Sequence, residues 1–86
     1  MMASVAALDP EFGQAALAQR IVMGAAQEDR VRLHGAILAA LELHPPHVAV
    51  AGIFAPALRE AGRAHGGGCR RMIAGAIREQ LDSGGQ

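Results

Sequence analysis

The chain has 86 residues, half of them hydrophobic, and eight basic residues that are all arginine balance eight Asp and Glu, giving a formal net charge of zero. That balance excludes a general positive field for holding a polyanion, so nucleic acid is not an expected partner. Two Phe and no Trp or Tyr leave out the large rings that usually fill β-sandwich cores, and the wealth of Ala, Leu and Ile favours an all-α fold.

Residues 1–8 lack a basic start and a long apolar run, so no signal peptide is predicted. The apolar run 48–58 contains Gly52 and Pro56 and falls short of the roughly 20 residues that cross a bilayer. A cytoplasmic protein with no membrane partner is expected, and the single cysteine, Cys69, agrees with a reducing compartment. At this length one helical domain spans residues 1–86, with 1–9 and 83–86 frayed, and its core leaves a small margin of stability.

The first helix is predicted to open at Asp9-Pro10-Glu11, where Asp caps free amides, Pro is pre-shaped for the first helical position and Glu favours the positive end. It runs to about Ala26 with Phe12, Ala15, Ala16, Ile21, Val22 and Met23 apolar, and Gly13 and Gly24 each weaken it by roughly 1 kcal/mol relative to Ala. Gln27-Glu28-Asp29 supplies a polar break and a second cap. Helix two follows, with Leu33, Ile37, Leu38 and Leu41 at helical spacing, and must end before Pro45-Pro46 because proline disfavours helix in the residue before it. His34 falls at the edge of its core face.

Helix three begins near Pro46 or His47 and presents Val50, Ala51, Phe54, Leu58 and Ala61 on one side. Pro56 lies inside it, without an amide and in conflict with the carbonyl of Gly52, so a kink or split is predicted there. Gly66-Gly67-Gly68 ends it. Helix four starts at about Cys69 and continues to Leu81, with Cys69, Met72, Ile73, Ala76, Ile77 and Leu81 apolar. Short connections between four helices predict an antiparallel four-helix bundle with a Pro-kinked third helix.

Glu28-Asp29-Arg30 opening a helix, the segment Val48-Ala49-Val50-Ala51-Gly52-Ile53-Phe54-Ala55-Pro56-Ala57-Leu58 and the pair Ala61-Gly62 together resemble the helical module beside cobalamin-binding domains. That module is seen in corrinoid methyltransferase proteins and in MerR-type cobalamin-dependent regulators. Pro56-Ala57-Leu58 and Ala61-Gly62 match its Pro-x-Leu segment and the glycine that follows. The likeness covers roughly residues 26–81, on short motifs. Where the family places a large aromatic over the cofactor, three residues past the glycine, this chain has His65. The family's Glu-His pair would fall near Gly75 and Ala76, no Asp-x-His-x-x-Gly motif occurs, and there is no room for the α/β domain that holds a corrin. The resemblance therefore implies a divergent bundle scaffold without the cofactor-contacting residues, with His65 as the one position left facing a ligand. No cofactor is expected for the chain alone.

Zinc-like spacings occur at His44-Pro45-Pro46-His47 and His65-x-x-x-Cys69, but a helix of about 17 residues, roughly 25 Å, separates them, so no metal site is assigned. Cys69 at a helix start beside Arg70 and Arg71 has the setting of an activated thiolate, yet it falls on the apolar side with Ile73, Ala76 and Ile77, which favours burial as a small hydrophobe. The glycine run lacks the Lys-Ser/Thr of a phosphate loop and reads as a turn. Serines occur only at Ser4 and Ser83, and no triad or carboxylate pair can be assembled, so the protein is expected not to be an enzyme. Arg59, Arg63, His65, Cys69, Arg70 and Arg71 cluster around the turn between helices three and four and are the candidate partner-binding residues. The function expected is a non-enzymatic regulatory or ligand-sensing helical module that acts with a protein partner and takes a small-molecule ligand. The alternative is a self-associating structural or adaptor protein, a homo-oligomer built through Ala-rich and Gly-containing faces.

Overall fold

The computed structural model describes residues 10–84. Among them the chain is all-helical with four helices and no strand. A 3₁₀ turn, Pro10–Phe12, precedes α1 (Gln14–Ala26) and α2 (Arg30–Leu43); a single turn, Pro46–Val48, then runs through a π-helical stretch, Ala49–Phe54, into α3 (Ala55–Ala64), and α4 spans Gly67–Gly84. α1 packs most extensively on α2 and also meets α3 and α4, while α4 touches α1, α2 and α3.

The N-terminal start signal builds a different element from the one expected. Pro10-Glu11-Phe12 forms a 3₁₀ turn closed by the Gly13 amide on the Pro10 carbonyl, 3.3 Å, and the helix opens only after Gly13, whose extended backbone makes it the N-cap. Gly13 thus sits outside the helix and does not weaken its interior; the cap expected at Asp9 lies outside the described residues. The turn is pinned from two sides. Arg20 donates to the Glu11 carbonyl at 2.7 Å and lies over the Phe12 ring at 5.7 Å, and His44 Nε2 meets the Phe12 carbonyl at 2.8 Å.

α1 ends in a Schellman motif. Glu28 takes a left-handed conformation, φ 56°, its amide bonds Ala25 O at 3.1 Å and the Asp29 amide bonds Gly24 O at 2.8 Å. Asp29 then caps α2 through a side-chain oxygen that accepts from the Arg32 amide at 3.1 Å. This second cap is where the sequence places it. Gly24 has a packing reason: a Cβ there would lie 2.9 Å from the Leu33 amide nitrogen, so its missing side chain lets α1 and α2 close on each other.

The largest fully buried side chains are Leu17, Ile21, Leu33, Ile37, Ile53 and Ile73. On α2 the buried stripe is Leu33, Ala36, Ile37 and Ala40, and Leu38 points outward. On α4, Ile73, Ala76 and Ile77 are buried as expected, while Leu81 is exposed and the helix continues through Ser83 and Gly84, beyond the expected fraying point.

The stretch leading into α3 corrects the predicted face. Val50 and Ala51 are exposed, Phe54 and Ala61 are buried as expected, and the core stripe is Ala49, Ile53, Ala57 and Ala61. These four recur every four residues, a spacing that drifts by about 40° per step on an α-helix. The π segment widens the turn, with the Ala55 amide reaching back five residues to Val50 O, and keeps the stripe facing the core. It ends two residues before Pro56 and includes Gly52, whose carbonyl a proline in a regular α-helix would strike.

Candidate functional site

α3 ends at Ala64, the His65 amide closes its last turn on Ala61 O at 2.8 Å, and Gly66 turns the chain with φ 89°. Only this first glycine of the run needs its special backbone; Gly67 and Gly68 already belong to α4, so that helix opens two residues before the expected start at Cys69.

The six candidate residues are divided by this turn. Arg59 is exposed on α3, and Arg63 pairs with Glu60 one turn earlier at 2.6 Å. This pair is solvated and contributes at most about 1 kcal/mol. Arg70 lays its stem toward α3: its Cδ is 3.3 Å from where a Cβ on Gly62 would be, so the small residue makes room for the crossing. Arg71 folds back over Gly67 and joins Arg30, His34 and Glu79 along a separate groove between α2 and α4. Cys69 is half-buried against the core, and burial pushes its thiol above 9.0, because thiolate would lose solvation there. Neither the helix start nor the two arginines overcome that desolvation.

His65 lies elsewhere. It lines a cleft of about 490 Å³ between α1 and α3, together with Ala15, Ala18, Val22 and Met23 on one wall and Pro56, Ala57 and Glu60 on the other. Ala15 and Ala18 on one wall and Ala57 on the other keep the cleft open: these small side chains leave space that Leu or Phe would fill. Its surface is mainly apolar, with Gln19, Glu60 and His65 as the polar groups. Such an arrangement holds an apolar body and orients a polar end. The α1 wall was legible as a second apolar stripe, residues 15, 18, 22 and 23, running beside the core stripe Leu17, Ile21 and Ala25. Ala15, Val22 and Met23 were read as apolar positions of the first helix and were not connected with His65.

Two other histidines, His34 and His44, have structural partners. The Gln80 amide donates to His34 Nδ1 at 3.1 Å, which places the ring proton on Nε2, 3.6 Å from Glu79 Oε2, so His34 ties α2 to α4. His44 secures the N-terminal turn. Among the described residues no three His, Cys, Asp or Glu side chains gather in a metal-binding group, and no helix is long and apolar enough to cross a membrane. On α4, Gly75 is exposed beside the α2/α4 groove and Ala76 is buried.

Compared with known proteins, the chain matches no family, no curated protein and no solved structure.

Proposed function

We propose that this chain is a non-enzymatic helical regulatory or ligand-sensing module, akin in design to the bundle beside cobalamin-binding domains, that works with a partner at the α3/α4 end. The observation that carries the reading is the position of His65 at an apolar cleft between α1 and α3. In the related module the residue at this position faces the ligand. Here the equivalent residue is small and polar enough to hydrogen-bond, and the alanine walls admit a flat apolar group. Arg59 and Arg63 stand exposed on α3 beside it and offer a cationic rim to an acidic partner surface. The reading of the helices as an antiparallel bundle bent before Pro56 draws support from the short connectors and from the π turn that precedes the proline. The non-enzymatic reading draws support from Cys69, whose burial against the core raises its pKa and disfavours a nucleophilic thiolate.

The test is the thermal midpoint of the chain with hydroxocobalamin and, separately, with 1-naphthol as a flat apolar probe with one hydroxyl. A ligand held only by the folded state raises the midpoint with concentration. Ala15→Trp, at an exposed position on the cleft wall, should fill the space and abolish the shift while leaving the unliganded midpoint near its starting value. No shift with either compound, or a shift that survives Ala15→Trp, counts against the cleft as the binding site.

A further inference from the structure

α2 is apolar on two opposite faces. Leu33, Ala36, Ile37 and Ala40 point into the core, and about 180° around the helix lie Val31, Gly35, Leu38 and Glu42, within an arc of about 60°. Val31 is 85 % exposed, Leu38 is 46 % exposed, and nothing lies within 4 Å of a Cβ built on Gly35. A valine this exposed contributes nothing to the fold of its own chain, and neither Val31 nor Leu38 belongs to the cleft of the proposed function.

The order of the stripe says what covers it. Gly35 and Leu38 share a midpoint between Ala36 and Ile37, and Val31 and Glu42 share the same midpoint. When a second α2 is laid antiparallel about that point, Leu38 of each copy faces the bare backbone of Gly35 in the other. Val31 then lies over the stem of the other copy's Glu42. Arg30 and Arg32 flank Val31, each about 100° around the helix, so the carboxylate of the other Glu42 is received between two guanidinium groups. Arg30 and Glu42 have no ion-pair partner within the chain among the described residues, and Arg32 spends one amino group on Gln27 at 3.2 Å. A surface complementary to itself in both shape and charge is what an isologous two-fold interface requires.

We infer that the outer face of α2 is a homodimer interface in which a second copy of the chain packs antiparallel, Leu38 against Gly35 and Glu42 between Arg30 and Arg32. The inference is independent of the cleft and of its ligand.

The experiment is sedimentation equilibrium of the whole chain over roughly 1 μM to 1 mM, for the unaltered protein and three variants. The unaltered chain should pass from monomer to dimer within that range. Gly35→Leu fills the hole, and because a Cβ at position 35 would meet nothing within 4 Å the helix should form at least as well, judged by circular dichroism, while the dimer dissociation constant rises at least tenfold. Glu42→Arg and the double variant Arg30→Glu/Arg32→Glu should each be monomeric. Mixed one to one, these two should form a heterodimer, since each now carries the charges the other needs at both ends of the interface. A monomeric unaltered chain across the whole range overturns the inference, as does a dimer indifferent to all three variants, which would use another face. Failure of the two charge variants to pair with each other would overturn the register.

Discussion

Two of the turns between helices perform the same backbone task by different means. Between α1 and α2 the left-handed residue is Glu28, φ 56°, a side chain that the conformation disfavours; between α3 and α4 it is Gly66, φ 89°, which accepts it freely. The first turn is held in place from outside, by Gly24 closing on Leu33, by the paired bonds of the Schellman motif and by the Asp29 cap. The second has no comparable lock. Its residues from Gly62 to Gly68 are exposed, and the first amide of α4 to close across it, Arg70 on Gly66 O, does so at 3.3 Å. Tertiary packing can impose an unfavourable conformation on a residue, and where packing is absent the sequence must supply glycine. The rigid turn is structural; the loosely held one carries the candidate partner residues.

Substitutions at the two turns break this comparison in graded ways. The largest effect is expected at Gly24: Gly24→Ala places a methyl against the Leu33 backbone, which has no flexible end to move aside, and should lower the unfolding free energy by about 1–3 kcal/mol in urea titrations. Gly66→Ala forces a side chain into the left-handed region with free space around it and should lower it by about 1–2 kcal/mol. Should Gly66→Ala prove the more damaging, the second turn would be the tighter of the two. Asp29→Ala removes the α2 cap for about 1 kcal/mol. Glu28→Gly works in the opposite direction: relief of the left-handed strain exceeds the extra freedom of glycine in the unfolded chain, for a gain of roughly 0.5 kcal/mol.

A smaller effect follows from Cys69. Its folded pKa is raised, so the folded state resists ionisation: stability should be unaffected below pH 9.0 and fall as pH climbs from there toward the folded value. Cys69→Ala should flatten that alkaline decline in a series of thermal midpoints, and an unchanged decline would show that another group controls it.

What the sequence made legible were features with local causes. The Asp29 cap, the end of α2 before Pro45-Pro46 and the turn at the glycine run each follow from one or two residues. Features set by packing were less accessible. Val50 was read as core because a 3.6-residue period runs through it, whereas the π turn moves that stripe onto Ala49 and Ile53. Leu38 was read as core because the sequence of α2 does not say which of two apolar faces turns inward. The candidate site was legible as residues but not as a place: His65 joins a cleft made by alanines of α1, while Arg71 lies along a different groove, a separation that arises only when the helices pack.

Amide chemical-shift mapping during a titration with 1-naphthol tests the central claim most directly. Binding in the cleft should move Ala15, Ala18, Val22, Met23, Ala57 and His65 together and leave the Glu28-Asp29 turn in place. Absence of shifts up to the solubility of the probe, or shifts gathered away from the α1 and α3 walls, would contradict it.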